Sequence, residues 1–262
     1  MADATPWPIG GHRLRRADGG FLWESVVIGP VRSRRLGTSL GLNLLPARSK
    51  LCGFNCPYCE CGFNTARVPG SRWPSPDEVA HALRRALERV AAPDWITFSG
   101  NGEPTLHPRF AVVVDRVLAA RDERAPGTPV AILSNGLTAG APGIREALLR
   151  LDARIMKLDP GPALSINGVD WDADRLVPAY RALKPFTAQA MVVRGGDWDG
   201  ASDESLAAWV PLVARAEPDA VQLYTIDRPP ADPSLHGVTR ERLLAMADAI
   251  REALPQCDVR VF

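Results

Sequence analysis

The chain has 262 residues, 46% of them hydrophobic, and a formal net charge of +1. That size and apolar content suffice for one large domain with a substantial core, and the near-neutral balance gives no field that would call for nucleic acid or a membrane surface as partner. No stretch approaches the roughly 20 apolar residues of a membrane helix, and no secretory leader is visible, so a reducing cytoplasm is the expected location.

Residues 1–20 mix Pro, Gly and Arg with little periodicity and read as a loose lead-in to a single domain over 21–262. Strands are expected over 21–28 and 41–45, the second stopped by Pro46. A loop rich in Gly, Asn and Pro follows and holds Cys52, Cys56, Cys59 and Cys61. Ser75-Pro76-Asp77-Glu78 then has the form of a helix start, with an N-cap serine, proline at the first helical position and Glu three residues after the cap. From there strands and helices alternate. Strands are expected at 95–98, 130–133, 154–158, 188–193, 220–226 and 258–262. Helices are expected at 109–121, 143–151, 174–183, 202–216 and 239–254. This alternation implies parallel strands joined by right-handed crossovers, an α/β fold forming a closed or partial (β/α)6 TIM-like barrel.

In such folds the chemistry gathers at the C-terminal ends of the strands. The unusual residues of this chain fall there repeatedly. The cysteine loop follows 41–45, and Ser99-Gly100-Asn101-Gly102-Glu103-Pro104 follows 95–98. Ser134-Asn135-Gly136 follows 130–133, Lys157 and Asp159 close 154–158, and Gln222, Tyr224 and Asp227 line or leave the 220–226 strand.

Crowded thiols suit an iron–sulfur cluster or zinc. Zinc sites more often pair two short Cys-x-x-Cys units across a longer gap, which this segment lacks. Three cysteines on a four-iron cluster leave one iron free for a small molecule, and Tyr58 stands beside the third thiol. Cys61 reads as a bystander, because a fourth ligand would block that iron. Cys257 reads as a small packed apolar residue.

Cys52-Gly53-Phe54-Asn55-Cys56-Pro57-Tyr58-Cys59 resembles the cluster motif of the radical S-adenosylmethionine (SAM) superfamily. The resemblance runs from about Val31 to the end of the chain. It implies a [4Fe-4S] cluster on Cys52, Cys56 and Cys59, with SAM on the open iron. It implies reductive cleavage of SAM to a 5′-deoxyadenosyl radical that takes hydrogen from a substrate. A low-potential donor of flavodoxin or ferredoxin type is then needed. Gly100, Asn101, Gly102 and Glu103 are similar to the family's glycine-rich turn, and Ser134 and Asn135 match positions that contact SAM. Lys157, Asp159 and Tyr224 are the candidates for substrate contact and catalysis. Residues 29–37 with 41–46, and 222–230, are similar to a compact group related to the catalytic domain of tRNA wybutosine-synthesis enzymes.

Plainer readings stand beside these. Glu103 could cap the helix after Pro108, Lys157 and Asp159 could form a simple ion pair, and Asn135-Gly136 could be only a turn. Arg32, Arg34 and Arg35 could be a solvated run or hold an anion. Among the four histidines only His107, close to the Glu103 turn, merits a test. An iron–sulfur electron carrier or a zinc-stabilised binding module is the alternative from another class. Within the enzyme class, activation of a partner protein or modification of RNA stays open.

Overall fold

The computed structural model describes residues 13–17, 19–160, 166–170 and 172–262. In chain order, strands β1 (Arg13–Arg15) and β2 (Phe21–Trp23) form an antiparallel hairpin. Strands β3 (Val27–Ser33) and β4 (Gly37–Leu42) form a second one, and helix α1 (Pro76–Leu87) follows the cysteine loop. Then come β5 (Trp95–Phe98), α2 (Phe110–Arg124), β6 (Val130–Ser134), α3 (Pro142–Leu149), β7 (Ala153–Lys157), α4 (Ala173–Arg181) and β8 (Thr187–Met191). The chain ends with β9 (Val193–Gly195), β10 (Trp198–Asp199), α5 (Asp203–Ala216), β11 (Ala220–Tyr224), β12 (His236–Gly237), α6 (Arg240–Ala253) and β13 (Asp258–Val261).

Eight strands join one sheet in the order β13-β11-β8-β7-β6-β5-β4-β3. Every neighbouring pair is parallel except the β3–β4 hairpin. Each of β4, β5, β6, β7, β8 and β11 is followed by one of the helices α1 to α6, so the expected six β/α units are present in an open partial barrel. Residues 1–12 of the expected lead-in lie outside the described residues, but Arg13–Arg15 is strand, not loose chain. Its Arg13 guanidinium stacks on Phe21 and Trp23, at 4.5 and 4.6 Å from the ring centres.

Strand alternation sorts the side chains of the sheet onto two faces. Leu40, Leu42, Ile96, Phe98, Val130, Ile132, Met156, Ala188, Ala190, Val221 and Leu223 are wholly buried in the main core. The helices cover that face with Val79, Leu83, Val113, Val117, Leu148, Tyr180, Val213 and Met246. Many of the intervening positions are polar or small: Ser39, Gly41, Thr97, Lys157, Gln189, Gln222 and Tyr224. They bond to one another, Ser39 Oγ to Thr97 Oγ1 at 2.7 Å and Gln189 Nε2 to Gln222 Oε1 at 3.2 Å.

Helix starts follow local chemistry. Ser75 accepts from Glu78 N while Glu78 returns a bond to Ser75 N, the expected capping box. Ser202 and Thr239 cap α5 and α6 with their hydroxyls alone, accepting from Ser205 N and Arg242 N. Two expected strands divide. The strand over 21–28 breaks after Trp23, whose N–H and carbonyl turn to the Asn101 side chain at 2.7 and 2.8 Å instead of a strand neighbour. The strand over 188–193 ends at Met191, and β9 leaves to pair with β10 and β12 in a small antiparallel sheet.

Candidate active site

The cysteine loop is fixed to the glycine turn after β5 by backbone bonds. Leu51 pairs with Gly102 as an isolated parallel bridge: Leu51 N donates to Asn101 O at 3.1 Å, and Glu103 N donates to Leu51 O at 2.9 Å. Only glycine fits here, since a Cβ on Gly102 would stand 1.8 Å from Leu51 O, at a φ of 144°. Gly100, at a φ of 143°, meets Asn43 in the same way. Gly100 and Gly102 stay partly accessible while Asn101 and Glu103 between and after them are buried. Asn101 points away from the cysteines, with its amide spent on the backbone of Trp23 and Pro46.

Glu103 ties this turn to the end of β6. Its Oε1 accepts from Thr105 N at 3.1 Å, Thr105 Oγ1 at 2.7 Å and Ser134 Oγ at 2.9 Å, and its Oε2 accepts from Asn135 N at 2.7 Å. Burial raises its pKa while those bonds oppose the rise. Glu103 caps a short 3-10 turn at Pro104–Leu106, not the helix beyond Pro108. The Asn135 amide donates to Cys52 Sγ at 3.5 Å, so the glycine turn, the β6 end and the first cysteine form one connected unit. Tyr180 braces it from α4, with its hydroxyl 3.0 Å from Asn135 O and 2.8 Å from Lys157 O.

A second unit forms around Asp159, which is 1% exposed. Its carboxylate accepts from Tyr58 OH, Asn167 Nδ2 at 2.9 Å, Lys157 Nζ at 3.0 Å and Met191 N at 2.7 Å. Lys157 also donates to Tyr224 OH at 3.0 Å, and Tyr224 OH donates to Gln189 Oε1 at 3.2 Å. Burial alone would lower the Lys157 pKa, but Asp159, Tyr224 and Cys56 outweigh it and hold the ammonium charged. The Lys157–Asp159 pair is thus the centre of a network that includes Tyr58 and Tyr224. Asn167 extends it to the cysteines, its Nδ2 lying 3.2 Å from Cys56 Sγ and 3.0 Å from Tyr58 OH. No spacing marked Asn167 in the sequence; its one signal was the Asn-Gly turn it forms with Gly168, at φ 70°.

Arg34 pairs with Asp227 at 3.4 Å, and the Arg35 guanidinium lies 4.1 Å from the Tyr224 ring centre. The tip of the β3–β4 hairpin therefore touches the C-terminal end of β11. His107 is structural: Arg109 N donates to its Nδ1 at 3.1 Å, which leaves Nε2–H to donate to Pro74 O at 2.8 Å. Cys257 packs against the main core, as expected.

The thiols are free, and they suit a cluster of soft metal ions. Phe54, Cys56, Tyr58, Ile166, Val193 and Leu235 form a separate apolar shell against which Cys52 and Cys59 pack. The sulfurs of Cys52 and Cys56 accept N–H bonds from Phe54 N at 3.4 Å and from Asn167. A dry surround with N–H bonds to sulfur is how proteins tune iron–sulfur centres. Burial pushes Cys52 up to about 12 and Cys56 up to about 11, while a hydrogen bond from Cys61 brings Cys59 down to about 6. Cys61 is 5% exposed and lies 3.5 Å from Gly100 O, beside Cys59. Among the described residues no group of three or more His, Cys, Asp or Glu is arranged to hold a single metal ion.

Comparison with known proteins agrees with this geometry. Over 211 residues the chain is 30% identical to a Brachyspira hyodysenteriae protein named GTPase Obg, covering 77% of this chain but 30% of that one. It is 30% identical over 217 residues to a UPF0026 protein of Synechocystis sp., covering 78% of this chain and 76% of the relative. The fold is similar to the crystal structure of a radical SAM methyltransferase from Sphaerobacter thermophilus, with a TM-score of 0.65 at 18% identity over 98% of this chain and 77% of that one. No helix among the described residues is long and apolar enough to cross a membrane. The sequence model of the Radical SAM superfamily matches residues 48–182, from before the first cysteine to the end of α4, and the chain belongs to that superfamily as a radical SAM enzyme.

Proposed function

We propose that Cys52, Cys56 and Cys59 hold the [4Fe-4S] cluster and that the glycine turn and the β6 end grip SAM beside it. When bound, the cluster supplies the electron that cleaves the SAM sulfonium, giving a carbon radical able to take hydrogen from a substrate. The reading is carried by the Leu51–Gly102 bridge, which joins the loop bearing the thiols to the turn with two accessible glycines. Gly100 and Gly102 offer backbone carbonyls and N–H groups to the amino acid part of SAM. Glu103 holds that turn and the Ser134–Asn135 backbone at a fixed separation. Cys61, its sulfur 3.5 Å from Gly100 O, stays outside the ligand set and leaves one iron free.

Lys157, Asp159 and Tyr224 receive the substrate on the polar face of the sheet. Asp159 and Tyr58 keep the Lys157 ammonium oriented, and the apolar shell of Phe54, Ile166, Val193 and Leu235 keeps water from the radical. A flavodoxin- or ferredoxin-type protein provides the electron. The kinship with the wybutosine-synthesis domain belongs to this reading. It rests on two segments, 29–37 and 222–230, that meet through Arg34–Asp227 and Arg35–Tyr224.

The test is electron paramagnetic resonance of the anaerobically reconstituted, reduced protein with and without SAM. A four-iron signal that changes on adding SAM supports the proposal. A cluster signal indifferent to SAM, or full SAM cleavage by Cys56→Ala, overturns it.

A further inference from the structure

Lys50 stands two residues before Cys52 and is 1% exposed. Its ammonium donates to Gly62 O, at the far end of the cysteine loop, and among the described residues no carboxylate forms an ion pair with it. An ammonium has three N–H donors, and a buried cation lacking a counter-charge is strongly disfavoured. The loop it closes carries the thiols: Gly62, whose carbonyl takes the ammonium, donates its own N–H to Cys59 O at 3.0 Å, and Cys52 follows Lys50 by two residues. Three thiolates on an oxidised four-iron cluster give a net charge of −1, and one added electron makes it −2.

We propose that Lys50 is the counter-charge of the thiolate set, a positioning residue that favours the one-electron-reduced state of the cluster. This rests on the cluster assignment above. The step moves one electron from the low-potential donor to the cluster. A fixed positive charge lowers the energy of the −2 state more than that of the −1 state, so it raises the midpoint potential. The competing role is a staple that closes the loop from residue 50 to residue 62.

The experiment is a redox titration, followed by electron paramagnetic resonance, of the full reconstituted chain and three variants. Lys50→Arg keeps the charge, Lys50→Gln keeps a donor without charge, and Lys50→Met keeps neither. Expected is an unchanged midpoint in Lys50→Arg and a more negative one in both neutral variants, so that the reduced-to-oxidised ratio at a fixed poise falls several-fold. An unchanged midpoint in Lys50→Gln at full iron content overturns the proposal. So does loss of iron uptake in both neutral variants with native circular dichroism, since that leaves only the staple. A wild-type chain that takes up no iron overturns the cluster assignment itself, and this proposal with it.

Discussion

On the helix side of the sheet, Leu40, Leu42, Ile96, Phe98 and Ile132 are wholly buried in the main apolar cluster. On the other side, Asp159 gathers four donors and Glu103 four more, while the apolar shell around the cysteines is small and separate. The first region is held by non-directional burial, which tolerates exchange of similar shapes. The second is held by directional bonds that fail together, because removing one partner strands the others in a dry place. The difference teaches where stability and activity can be separated.

The largest effect is expected from the thiols. Cys56→Ala should abolish cluster incorporation, read as iron content and visible absorbance, while the melting temperature of the iron-free chain moves little. A normal iron content in that variant would break the comparison at its most specific point. Gly102→Ala comes next. Its Cβ has no room beside Leu51 O, so the bridge must open and SAM affinity should fall by at least tenfold, measured by calorimetry on the reconstituted protein. Trp209→Ala tests the other region. Trp209 is 2% exposed under the sheet, and its loss should cost about 3–5 kcal/mol by chemical denaturation, with iron stoichiometry kept at low temperature.

A smaller, pH-dependent effect follows from His107. Burial lowers its pKa, and the folded chain holds the neutral ring between Arg109 N and Pro74 O. The unfolded chain therefore binds the proton first as pH falls below about 6.5, and folding loses stability over that window. Melting temperatures between pH 7.5 and 5.5 should fall more steeply in the wild type than in His107→Gln; equal slopes would show that another group governs. The smallest effect is at the surface, where Ser75→Ala removes one cap of α1 and should cost about 1 kcal/mol in denaturant titrations without touching iron content.

The six β/α units and the Ser75 cap could be read from sequence because each depends on near neighbours: alternation within a strand, Ser75 to Glu78 within a helix start. The glycine turn was legible for the same reason. Contacts between distant segments were not. Asn101 looked like part of a ligand turn, yet its side chain holds Trp23, 78 positions away. Asn167 reaches Cys56 over 111 positions. Lys50 carried no pattern at all, since burial of a lysine is decided only when the loop from 50 to 62 folds over it. Arg34 and Arg35 sit in a local charge run whose partners, Asp227 and Tyr224, come from the opposite end of the chain.

The bridge between Leu51 and Gly102 also makes two binding events thermodynamically inseparable. Order imposed on the loop by metal is order imposed on the turn, so the turn no longer bears its own conformational entropy when a second ligand arrives. Linkage is reciprocal: a molecule that fixes the turn must strengthen the hold of the thiols on their metal by the same factor. The chain should therefore retain iron longer against a chelator when SAM is present than when it is absent.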